Sequence, residues 1–221
     1  MKAVILVPFR TDNAEREANW NNVRENLAVV GIPIVEGNNT GRVFEGARAR
    51  NIASDQAGHW DVALFCDADI LVPRQQIEAA LARSYLTGAY VVAYSHLHYL
   101  TRRGTNQRLK GTYPNDCDSD EAVGLTWECA FAVRRDVWDQ VGGFDERFCG
   151  YGGQVAAFFY AYATFGGRSR INGNAFHLDH PLVDRSKEAH FEENKQLAEH
   201  YRAAVDDIDA MREILRERRD S

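Results

Sequence analysis

The chain begins with an unbroken apolar run, Ala3-Val-Ile-Leu-Val7, that stops at Pro8. A short β-branched run without alternation predicts a strand buried on both faces. From residue 12 to 30 the period changes. Trp20, Val23, Leu27 and Val30 recur at spacings of three and four, predicting a helix closed by Gly31. Residues 32–35 (IPIV) predict a second strand, and Gly37-Asn38-Asn39 a turn. A helix is expected over 43–57, ending at Gly58, then a strand from Asp61 that runs through Val-Ala-Leu-Phe-Cys66 into two acids. A further helix over 74–87 stops at Gly88, and a strand follows at 89–94. This alternation of strands and helices predicts an α/β fold with a mostly parallel, Rossmann-like central sheet flanked by helices. Such sheets bind ligands beyond the carboxyl ends of their strands. Pro8-Phe9-Arg10 and Asp67-Ala68-Asp69 both stand at such ends.

After residue 95 the pattern loses its regularity. Residues 95–125 carry His96, His98, Arg102, Arg103, Arg108, Lys110 and the acidic stretch from Asp116. Loops and an irregular hairpin are expected there, placed to touch substrate. Residues 126–133 read as a strand. Val155–Phe165 is the longest apolar run and predicts a buried helix over 153–165. From 187 to 219 the chain is polar and helical, with an apolar stripe of Val205, Ile208, Met211 and Leu215. The expected division is a main domain over 1–185 and a C-terminal helical tail over 186–221 packed on it.

Composition narrows the class. A chain of 221 residues suits one domain with an appendage, and 45% hydrophobic with 26% charged residues excludes disorder and collagen. The net charge of −6 argues against a broad nucleic-acid surface and leaves only a local basic patch around Arg102–Lys110. Cys66, Cys117, Cys129 and Cys149 form no CxxC pair, so neither a zinc knuckle nor a disulfide framework is indicated. Reduced thiols in a cytoplasmic protein are the expectation. The first apolar run is too short for a signal peptide, and no stretch of about 18 apolar residues predicts a membrane span.

Two groups of residues point to chemistry. Asp67 and Asp69, one residue apart on an extended segment, project to the same side. Crowding two carboxylates at a buried strand end is unfavourable unless a cation neutralises them, and oxygen donors of this kind suit Mg2+ or Mn2+. A solvated strand end running into a helix cap at Pro73 is the structural alternative. His177-Leu-Asp-His180-Pro offers two imidazoles with an intervening acid, adequate for a divalent ion and equally compatible with a structural turn.

The order PFR, FEGARARN, WDVALFCDAD, GGFDERFCGYGG and HLDHP, spread over residues 4 to about 201, resembles GT-A-fold glycosyltransferases. It is most similar to family-2-like enzymes with a carboxyl-terminal block of the β-1,4-galactosyltransferase type. The resemblance implies a GT-A fold, a nucleotide-diphosphate sugar donor, a UDP-sugar foremost, and Mn2+ or Mg2+ as cofactor. It implies nucleotide-sugar contacts at Pro8, Phe9, Arg10, Phe44, Asn51, Asp67 and Gly153. It implies metal ligation by Asp67, Asp69, His177 and His180, with His180 favoured over His177. The family's helical motif carries an arginine where this chain has Gly46, and Arg42 or Arg48 are candidates to replace it. The block Gly142-Gly143-Phe144-Asp145-Glu146 is implied to shape the sugar pocket, with Trp127 and Tyr151 as aromatic faces.

One departure bears on mechanism. Where the family usually reads Glu-Asp, this chain reads Gln154-Val155, and neither can act as a general base. Three explanations stay open. Another acid serves, from Asp145, Glu146, Glu128 or Asp179. Alternatively the transfer retains configuration, with no dedicated side-chain base, or the protein binds a nucleotide sugar and turns it over weakly. Asp145, Glu146 and Gln154 are therefore the catalytic candidates. The expected function is metal-dependent sugar transfer to a hydroxyl acceptor on a glycan, small molecule, protein or modified nucleobase. A nucleotidyltransferase is disfavoured because PFRTDNAERE lacks the glycine-rich phosphate loop that class needs.

Overall fold

In the computed structural model, residues 1–11, 13–39, 44–120, 122–124, 129–150, 152–181 and 189–220 are described. Arg42, Trp127, Glu128 and Tyr151, all considered above, lie outside them.

Six strands form the main sheet: β1 (Ala3–Pro8), β2 (Ile34–Gly37), β3 (Val62–Cys66), β5 (Tyr90–Val92), β8 (Ala130–Arg134) and β9 (Arg168–Arg170). Their order is β2-β1-β3-β8-β5-β9. β1 runs parallel to β2 and β3, and β5 parallel to β9, while β8 is antiparallel to both its neighbours. The sheet is mostly parallel, as expected. Val4–Val7 of β1 and all five residues of β3 are buried, which is why their sequences show no alternation.

Helices α1 (Ala14–Ala28), α2 (Gly46–Ala57) and α3 (Arg74–Thr87) connect the first strands. The side chain of Asn13 caps α1 by accepting from the Arg16 N–H, and Gly31 leaves the helix at φ 73°. The expected apolar helix is α6 (Gln154–Gly166). Its Phe158 stacks on Phe144 with ring centroids 4.2 Å apart, and Phe65, Phe131, Tyr90 and Trp138 complete an aromatic core between α6 and the sheet. Trp138 belongs to α5 (Arg135–Val141), a short helix not anticipated from the sequence.

The segment after residue 95 differs from the expectation of loops. It holds β6 (His96–Tyr99), α4 (Arg102–Leu109), a 3-10 turn at Pro114–Asp116 and β7 (Val123–Gly124). α4 is almost wholly polar, so it shows no apolar period. Its Thr101 N-cap and its contacts to α1, where Arg102 pairs with Glu15 and Arg108 donates to Asn22, hold it in place. β6 and β7 join β10 (Asn174–His177) and β4 (Ile70–Leu71) in a second sheet of order β4-β10-β6-β7.

The tail also departs from expectation. In place of one helix there are two, α7 (Phe191–Ala203) and α8 (Ile208–Asp220), both packed on α6. Asp206 sits at φ 66°, and the Asp207 carboxylate accepts the backbone N–H of Asp209 and Ala210, starting α8 afresh. Val205 therefore lies outside the helices and Ile208 is exposed, while Met211, Ile214 and Leu215 form the buried stripe. Among the described residues, no helix is long and apolar enough to cross a membrane.

Candidate active site

The second sheet explains how two distant segments meet. β10 pairs antiparallel with β4, setting His177 opposite Ile70, and the Leu178 N–H donates to the Asp69 carbonyl at 2.8 Å. The segment after β10 is clamped from both sides. Asn19 of α1 donates to the Asp179 carbonyl, and the Asp179 N–H donates to Thr105 of α4. The unanticipated α4 thus holds the HLDH segment against the strand ends.

Asp69, His177 and His180 converge there, each half-buried, with their ligand atoms all within 4.8 Å of one another. His180 Nε2 lies 3.0 Å from one Asp69 oxygen and His177 Nε2 3.8 Å from the other. His180 Nδ1 is 3.0 Å from the Pro181 carbonyl, which fixes the ring so that Nε2 faces the carboxylate. Burial alone would raise the Asp69 pKa. The His180 hydrogen bond and the positive potential of His177, His180 and Arg16 outweigh it and hold the carboxyl at about 2. His180 is raised in turn by its bond to Asp69. One carboxylate and two imidazoles at this spacing fit a divalent cation that accepts mixed oxygen and nitrogen donors, Mn2+ better than Mg2+. The Tyr99 ring, brought by the β6–β10 register to 5.0 Å from His177, walls the cluster.

Asp67, expected among both the nucleotide contacts and the metal ligands, stands outside this cluster of three. Its Oδ1 accepts from Arg50 at 2.5 Å. Burial raises its pKa despite that pairing. Its N–H donates at 2.7 Å to the carbonyl of Cys129, a non-glycine residue at φ 72°. Arg50 escaped the sequence reading, which offered Arg42 or Arg48 for the motif's missing arginine. Arg48 is exposed and lies near Glu45 and Glu146. The available signal was that positions 46 and 50 share one helical face.

The other expected residues divide. Pro8 ends β1, Phe9 packs on Trp20 with centroids 5.5 Å apart, and the Arg10 guanidinium lies 5.5 Å over Phe44. Asn51 faces the GGFDE block instead of the strand ends. Its amide donates to the Phe144 carbonyl and Glu146, and its oxygen accepts the Phe144 N–H. Asp145 is 4% exposed and accepts from Arg147 at 2.8 Å and from the Tyr201 hydroxyl at 2.9 Å. Burial raises its pKa, but those bonds bring it below the ordinary range. Arg218 of α8 donates to the carbonyls of Gly142, Gly143 and Phe144 and locks the tail onto this block. The glycines serve protein packing. A Cβ on Gly143 would stand 2.8 Å from Asn51, and one on Gly153 2.9 Å from Ala198. Gln154 opens α6, and its side-chain oxygen is buried without a partner among the described residues.

A cleft of about 550 Å³ is lined by Asn51, Trp138, Glu146, Arg147 and Arg218, among others, and includes none of the cluster residues. Asp145, Glu146, Arg147 and Arg218, among its charged groups, are already engaged within the protein. The strand-end cluster, whose three side chains stay partly exposed, is the better site for chemistry.

No family model and no curated protein matches the chain. Solved structures do. GalNAc-T7, in a complex with UDP, GalNAc and Mn2+, is 13% identical over 99% of this chain and 54% of its own, with a TM-score of 0.52. Glucosyl-3-phosphoglycerate synthase from Mycobacterium tuberculosis, with phosphoglyceric acid, is 14% identical over 94% and 81%, with a TM-score of 0.50. The Drosophila β-1,4-galactosyltransferase 7 is 19% identical over 77% of this chain, with a TM-score of 0.47. The chain spans 63% of that galactosyltransferase. The fold is that of GT-A glycosyltransferases, an α/β Rossmann-like domain.

Proposed function

We propose that this protein transfers a sugar from a nucleoside-diphosphate donor, with UDP-sugars first in line, to a hydroxyl acceptor. The observation that carries this reading is the convergence of Asp69, His177 and His180 at the carboxyl edge of a GT-A sheet. UDP and Mn2+ head the choice of ligands because GalNAc-T7, which shares the fold, holds both. A bound divalent cation would supply charge neutralisation to the leaving diphosphate. The protein's own groups do the rest. Asp69 and the two imidazoles would hold the cation, Arg10 stands at the end of β1 for the nucleotide, and Arg16 adds positive potential beside the cluster. The acceptor oxygen bonds to the anomeric carbon as the carbon–oxygen bond to the diphosphate breaks, and the hydroxyl proton is released to the leaving diphosphate or to solvent.

The modified-nucleobase version is weakened because two of the basic residues of the Arg102–Lys110 stretch are engaged within the protein. Arg102 pairs with Glu15, and Arg108 donates to Asn22 and to the Thr112 carbonyl. The four cysteines form no CxxC pair, which supports a reducing, cytoplasmic setting.

The test is thermal stabilisation by a panel of nucleotide sugars with and without Mn2+, followed by donor hydrolysis and transfer assays. Stabilisation by one donor that requires the cation, with turnover abolished by EDTA, is the expected result. Full turnover in EDTA would sink the metal-dependent reading. Tight binding without turnover would leave a nucleotide-sugar-binding protein.

A further inference from the structure

Beneath the cluster, Arg50 has almost no contact with solvent. Its side chain is 6% exposed against 29% for Asp67, so the Asp67 carboxylate bridges a buried cation and the open strand ends. One Arg50 nitrogen donates to Asp67 Oδ1 at 2.5 Å and another to the Gly46 carbonyl at 3.1 Å, while the guanidinium lies 5.3 Å over the Phe144 ring. The space it occupies exists because position 46 has no side chain. A Cβ there would stand 3.0 Å from Arg50 Nη1 and 2.6 Å from Gln154 Nε2. Two buried polar atoms at this junction, Arg50 Nε and Gln154 Oε1, have no partner among the described residues.

We propose that Arg50 is a positioning residue of the donor site: it grips one oxygen of Asp67 from below and thereby presents the other to the bound nucleotide. The inference rests on the donor-binding reading above. Gly46 admits the guanidinium, and Gln154 lets it stay. The amide of Gln154 and the Arg50 guanidinium both lie within 3.0 Å of the one point that a Cβ on Gly46 would take. A carboxylate at position 154 would compete with Asp67 for the same guanidinium. The neutral residue at 154 therefore belongs to this arrangement: one buried cation serves one carboxylate. Arg50 acts on the nucleotide through Asp67 and not on the cation, whose ligands are the other three residues.

Titration calorimetry separates the two. Mn2+ alone is the first probe, and UDP at saturating Mn2+ the second. Arg50→Gln should weaken UDP by about ten- to a hundredfold, the range seen when supporting partners of a site are removed, and leave Mn2+ affinity within about threefold. Arg50→Lys keeps the charge without the fork and should recover part of the loss. Gly46→Ala retains the arginine, crowds its Nη1 and the Gln154 amide, and should give a smaller loss in the same direction, so the claim stays testable if Arg50→Gln does not fold. Gln154→Glu should weaken UDP in the same direction. A merely structural Arg50 would lower the melting temperature with UDP affinity unchanged, or weaken UDP and Mn2+ together. Either outcome overturns the inference. If the wild-type protein binds neither UDP nor any other nucleoside diphosphate with Mn2+, the functional reading falls and this inference with it. If it binds and the variants bind equally well, only the inference falls.

Discussion

Two acidic centres of this molecule look alike in sequence and differ in structure. At the strand ends, Asp69 meets two imidazoles, and the three stay partly exposed. Behind the GGFDE block, Asp145 meets Arg147, Tyr201 and, at 4.0 Å, Arg218, and it is closed over by α7 and α8. Both carboxyls are held below their ordinary pKa, so depression of the pKa does not tell function from architecture. What separates them is saturation. Each Asp145 oxygen is bonded within the protein, whereas the Asp69 partners are nitrogens that a cation can claim.

This contrast can be broken most decisively at Asp69. Asp69→Ala should abolish Mn2+ binding and donor turnover, with the melting temperature moving by only a few degrees, measured by calorimetry and scanning fluorimetry. Next comes the pair of histidines. His180→Ala should lose about ten- to a hundredfold in Mn2+ affinity, and His177→Ala less, because His180 lies nearer the carboxylate and is fixed by Pro181. Equal losses would undo that ranking.

The closed centre should respond in stability. Asp145→Asn is expected to cost about 3 kcal/mol at neutral pH by leaving two arginines short of a buried partner, measured by denaturant unfolding. The sign with pH follows from the lowered pKa. The Asp145 contribution is fully present above the unfolded value of about 3.9 and is lost as pH falls through the folded value, so the variant's deficit should shrink below about pH 4. A deficit that grows on acidification would contradict the pairing. The smallest effect belongs to Glu146, which is exposed and held by Asn51. Glu146→Gln should keep turnover within about threefold. A fall of two orders of magnitude or more would restore it as the general base.

The main sheet was legible because its central strands are buried on both faces and must be continuously apolar, as in Val62–Cys66. The second sheet was not, since β4 and β7 are two residues long and β10 is half polar. α4 was hidden by its polarity, because a helix held by a cap and ion pairs leaves no apolar stripe. At the site, the residue types of Asp69, His177 and His180 suggested a cation from the sequence, and their meeting depended on a β4–β10 pairing that no local pattern reveals. Asp145 shows the converse. A motif carries over the residue and not its burial, and only α7 and α8 disclose that its oxygens are engaged. Arg50 was missed because its meaning lies in the absence of a side chain at Gly46.

The most direct test of the central claim is anomalous diffraction from crystals grown with Mn2+ and UDP, recorded above the manganese edge. One strong peak bonded to Asp69, His177 and His180 and adjoining the diphosphate is expected. Bound UDP with manganese elsewhere, or with none at these three side chains, would contradict that claim.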